Sequence, residues 1–168
     1  MNTGQEGEQN GYYRSLLELI PSSNPFLTRS AGPFAFSALN QLVVANGSCP
    51  SQNNPLFDAL PIFGALAIDT KHIQLKDQTL TFSITSNSSD NSGWHVVYIN
   101  QQNVPVVESI SNVKTSGDTI TFDAYFPAAD LIMDGLTIAA VTDSAGPFAN
   151  VSAVADATLF GPGLIEIN

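Results

Sequence analysis

A chain of 168 residues, 43% hydrophobic and 9% aromatic, is long enough to bury a core as one domain and too apolar to be a disordered polymer. Only 12% of its residues are charged, against roughly 25% in ordinary domains, so its polar surface must come from Asn, Gln, Ser and Thr. The net charge of −10, with five bases in all and none beyond Lys114, excludes nucleic acid and anionic membrane as partners, because Lys and Arg supply most of that attraction.

Residues 1–11 (MNTGQEGEQNG) are polar and glycine-containing and read as a disordered tail, without the basic-then-apolar pattern of a secretory leader. Residues 12–20 carry the first helical spacing, with Tyr13, Leu16, Leu17 and Ile20 at i, i+3, i+4 and i+7, and Pro21 ends it. This short N-terminal helix is expected either to cap the sheet or to act as an arm that docks on a neighbouring subunit. Residues 12–61 as a whole form a helix and proline-rich segment packed on the sheet. Within it the run 34–44 (FAFSALNQLVV) is a buried helix or a strand pair; Ala35, Ala38, Leu39 and Leu42 fit the helix. Cys49 is the single cysteine, so no intrachain disulfide or paired-cysteine zinc site exists, and it reads as an idle thiol in a turn. Residues 48–61 read as a long loop.

From residue 62 the pattern is β, and 62–168 is expected to be the core of a single domain. Strands are expected at 64–69, 72–75, 79–85, 94–100, 104–111, 119–126, 136–142 and 151–160, separated by short Asn/Asp/Gly/Ser turns. In 79–85 Leu80, Phe82 and Ile84 face one side and Thr79, Thr81, Ser83 and Thr85 the other; 119–126 repeats the alternation. Residues 94–99 are apolar on both faces apart from His95, which places that strand centrally. One-sided strands in series predict a mainly β fold: an antiparallel β-sandwich or jelly roll of about eight strands, with a closed β-barrel as the alternative. The apolar tail 149–167 either closes the sheet or adds an edge strand to a neighbour. No apolar run approaches the roughly 20 residues that span a bilayer, so no membrane insertion is expected and the protein reads as soluble. An extracellular or particle-associated setting suits the charge-poor surface, although the sequence does not fix the compartment.

The most suggestive chemistry is the loop 86–93 (SNSSDNSG) followed by Trp94 and His95. Asn87, Asp90 and Asn91 match sugar hydroxyls, Trp94 can stack on a pyranose, and His95 adjoins them. Asp90 and Asn91, with carbonyls, could instead ligate Ca²⁺, although the spacing of an EF-hand is lacking. The plain alternative is a solvated loop with Trp94 in the core. Neither His72 nor His95 has an orienting carboxylate nearby in the sequence. There is no Gly-x-Ser-x-Gly, His-Glu-x-x-His, P-loop or Gly-x-Gly-x-x-Gly. Asp118 and Asp123 fall on opposite faces of one strand, and Asp130 and Asp134 are expected to cap a single turn. Three functions follow. The first is a non-catalytic sandwich that works by surface contact in a homo-oligomer, as a structural or adhesive protein. The second is a carbohydrate-binding module for glycans, without a resident cofactor or assisted by Ca²⁺. The third is a small barrel isomerase or cyclase with a His and an Asp at its mouth.

Overall fold

Alternation along two strands builds the inner layer. In β2 (Asp77–Thr85) Leu80, Phe82 and Ile84 are buried, and in β6 (Thr119–Pro127) Ile120, Phe122, Ala124 and Phe126 are buried. The two strands pair antiparallel in continuous register, Phe82 opposite Phe122 and Thr81 opposite Asp123. The computed structural model describes residues 3–18, 27–45, 60–87 and 91–167, and side chains from residue 7. Around the β2–β6 pair, β1 (Ala67–Ile68) and β5 (Ser111–Ser116) complete one four-stranded sheet, in the order β1-β2-β6-β5. The second sheet is β4-β3-β7-β8, formed by β4 (Val106–Ser109), β3 (His95–Asn100), β7 (Gly135–Thr142) and β8 (Thr158–Ile167).

All of these pairings are antiparallel, and no barrel closes. Two sheets face each other across Leu80, Phe82, Phe122 and Phe126 on one side and Val96, Tyr98, Val141 and Ile165 on the other. The strand order is that of an immunoglobulin-type Greek-key sandwich with an extra strand beside the third. Architecture of this kind leaves function open. The C-terminal β8 closes its own sheet against β7.

β3 is buried on both faces because its outer side is also covered. Two helices, α2 (Gly32–Leu42) and α3 (Val151–Asp156), lay Phe34, Val154 and Ala155 on Val97, Ile99, Ile138 and Ala140. α2 follows the helical spacing of 34–44, with Pro33 at its start where a missing N–H costs nothing.

Four elements differ from the sequence reading. The first helix, α1, runs Thr3–Leu16 and so begins well inside the stretch read as a tail. Its first half is polar all round and carries no apolar stripe to announce it, though Glu and Gln are good helix formers. The stretch 104–111 is two strands, because the chain leaves one sheet after Ser109 and enters the other at Ser111. Residues 72–75 form no strand. Residues 151–156 are helical: Asn150 accepts a 3.0 Å hydrogen bond from the Ala153 N–H at the N-cap, and Val154 and Ala155 point into the core.

Candidate functional site

The outer face of the β1-β2-β6-β5 sheet is lined by the residues that alternation turns away from the core. Thr81, Ser83, Thr121, Asp123 and Tyr125 lie there, and the register sets Thr81 beside Asp123 and Thr79 beside Tyr125. Asp123 is the centre of this face. The Thr81 hydroxyl donates to its Oδ1 at 2.7 Å and the Asn112 amide donates to its Oδ2 at 2.9 Å. Asn112 reaches it from a bulge in β5, where its φ of 51° is left-handed, a conformation Asn tolerates better than most residues. Beside them the Ser83 hydroxyl donates to Asp69 Oδ1 at 3.2 Å.

The hydrogen bonds from Asn112 and Thr81 hold the Asp123 carboxyl below its ordinary range against the opposing effect of burial, with a lesser contribution from the Lys114 charge. A carboxyl with a depressed folded pKa stabilises the fold above the ordinary carboxylate pKa. That contribution is lost as pH falls through the folded pKa. Two residues along the strand, roughly 7 Å away, Tyr125 is 43% exposed on the same face. An exposed ring flanked by fixed carboxylate, amide and hydroxyl groups offers the stacking and hydrogen-bonding chemistry that a sugar needs.

The loop residues singled out from the sequence fare differently. Asn87 is exposed just past β2, and Asp90 lies outside the described residues. Asn91 is half-buried, and its carbonyl accepts from the Trp94 N–H at 3.1 Å. Trp94 is 7% exposed and packs on Phe160 with ring centroids 5.5 Å apart, so its faces are spent on the core. His95 opens β3 opposite Thr142, its Nδ1 3.0 Å from the Gly93 carbonyl. Asn91, Trp94 and His95 thus share one tight turn, with the ring turned inward. No group of three potential metal-ligating side chains occurs among the described residues.

His72 is exposed in the segment after β1, and Asp118 sits in the β5–β6 turn. In the turn after β6, Asp77 Oδ1 accepts from the Ala129 and Asp130 N–H groups at 2.9 and 3.1 Å. Asp134 accepts from the Gln101 amide at 3.1 Å. On the inner side of β4, burial pushes the Glu108 carboxyl up. No described helix is long and apolar enough to cross a membrane.

No protein-family model matches the chain, and neither a curated protein nor a solved structure matches it.

The cluster on Asp123 escaped the sequence reading. Alternation marked Thr81 and Asp123 as outward, but only cross-strand register and the β5 bulge bring Asn112 to them.

Proposed function

We propose that the protein is a non-catalytic contact module that assembles with copies of itself through α1. One observation carries it: the helix turns its apolar side to solvent. From residue 7 to residue 18 the half-buried positions are Gly11 and Arg14, one helical turn apart, and Arg14 Nη1 lies 3.5 Å from Glu166 Oε1 at the end of β8. Tyr12, Tyr13, Leu16 and Leu17 are each at least 62% exposed. Burying a large apolar side chain stabilises a contact by about 1.5–3 kcal/mol, so three on this helix and Leu17 in the turn after it make a competent arm.

Copies that each carry −10 repel one another, and salt relieves that repulsion. Association driven by α1 should therefore strengthen as NaCl is raised. Light scattering across protein concentration is expected to give masses above the 17.8 kDa of one chain, with the Leu16→Glu/Leu17→Glu double variant held at that mass. A wild-type chain that stays at single-chain mass at every concentration and salt sinks the proposal.

A second function is supported by the Tyr125–Asp123 face, namely contact with glycans, at a place other than the 86–95 loop. There the expected result is a glycan-array signal that Tyr125→Ala abolishes; an array without a binder removes it.

A further inference from the structure

The end of the sandwich beside the β3–β4 hairpin holds a cleft of about 430 Å³, within the range of small-molecule sites, roughly 300–1,000 Å³. Its floor is Asn100, 2% exposed, and Met133, 1% exposed. Its walls and rim carry four apolar side chains, half-buried Val106 and exposed Val104, Leu131 and Ile132, with Asn103 and Asp130 beside them. We infer that this cleft binds a small, uncharged, largely apolar molecule carrying one O–H or N–H donor.

The donor requirement comes from Asn100. Its Nδ2 donates to the Asp134 carbonyl at 3.0 Å, the Leu136 carbonyl at 3.2 Å and Thr137 Oγ1 at 2.9 Å. Two of those partners are backbone carbonyls, which only accept, so the amide cannot be turned over. Oδ1 therefore sits on the other branch of the planar amide, buried and without a hydrogen-bond partner among the described residues. A buried acceptor left unpaired is costly, and groups of this kind mark places where a ligand or an ordered water completes the structure. Asn100 is also the last residue of β3 and points between the sheets, in line with Val96 and Tyr98, so the rigid sheet holds its amide in place.

A second observation lies on the rim. Ile132 has a φ of 50°, a left-handed conformation that is strained for a β-branched side chain, and it is exposed. Strain of this sort gathers at ligand sites, where the surrounding structure holds it in place. Here it keeps a large apolar side chain at the mouth of a cleft that Asn100 also lines. The carbon body of the ligand is thus matched by Val104, Leu131, Ile132 and Met133, and its donor by Asn100 Oδ1. Asp130, also on the rim, disfavours an anion.

The chain has two methionines, Met1 and Met133, so methyl-¹³C methionine labelling gives a reporter on the cleft floor. Titration with 1-hexanol is expected to shift the Met133 methyl signal saturably. Hexyl methyl ether, which has a similar carbon body and no donor, is expected to bind at least tenfold more weakly. Val104→Asp, a change at an exposed rim position, is expected to abolish the alcohol response while leaving Trp94 fluorescence native. Equal responses to alcohol and ether would mean that water already satisfies Asn100, and would overturn the inference. So would the absence of a saturable shift with either compound, or an alcohol response that survives Val104→Asp.

Discussion

Replacing Phe82 by Ala is expected to remove about 3–5 kcal/mol of stability, the range for truncating a fully buried phenylalanine. Phe82 is fully buried at the middle of β2. Its ring stacks on Phe122 of the neighbouring strand at 5.8 Å and 17°, and lies 6.4 Å from Tyr98 of the facing sheet. It therefore touches both the cross-strand pair and the opposite layer. The cavity left by Ala cannot collapse without drawing two sheets together, and sheet backbones resist that. Against a total of about 5–15 kcal/mol for a typical domain, such a loss is a large share. Urea unfolding followed by Trp94 fluorescence measures it. A loss below about 1 kcal/mol would mean that the two sheets do not share this ring as their common core.

Gly64→Val should destabilise the fold by about 1–3 kcal/mol, through overpacking rather than through a cavity. A Cβ at this position would overlap Phe160 Cδ1 and stand 2.8 Å from Cε1. The backbone cannot retreat easily, because the Gly64 N–H donates to the Leu159 carbonyl at 3.1 Å and its own carbonyl accepts from the Gly161 N–H at 2.7 Å. The ring of Phe160 must move instead, and it packs on Trp94. Trp94 is the single tryptophan, so its emission reports the displacement directly. Lost stability together with an unchanged native emission spectrum would show that the strain escapes by some route other than Phe160.

The strands that bury one face were legible from the sequence because a solvated outer face forces alternation. Leu80, Phe82 and Ile84 show it, and so do Ile120, Phe122 and Ala124. β3 was legible as a central strand for the opposite reason, since helices cover its second face. β5 was not legible: all six of its residues, Ser111 to Ser116, are exposed, so burial left no period in them. In α3 the β-branched Val151 and Val154 favour a strand, and the hydrogen bond at Asn150, a local contact, decides for the helix. In the candidate site the gap is one of register. Asn112 is eleven residues from Asp123 in the chain, and a bulge brings the two side chains together. The inward turn of Trp94 depends likewise on Phe160 in β8, a partner that the local pattern of the loop does not reveal.

Tyr98 gives the core a chemical ceiling. Its hydroxyl is buried between the sheets without a hydrogen-bond partner among the described residues, and burial, with the nearby Glu108 carboxylate, pushes its ionisation far above that of a free phenol. A folded chain thus keeps this proton where an unfolded chain, with a tyrosine pKa of about 10, gives it up. The sign is fixed: the stability that Tyr98 contributes is whole below about pH 10 and drains away as alkali is added. Tyr12, Tyr13 and Tyr125, the other three tyrosines, stand exposed. Alkali reaches the fourth only by taking the two sheets apart.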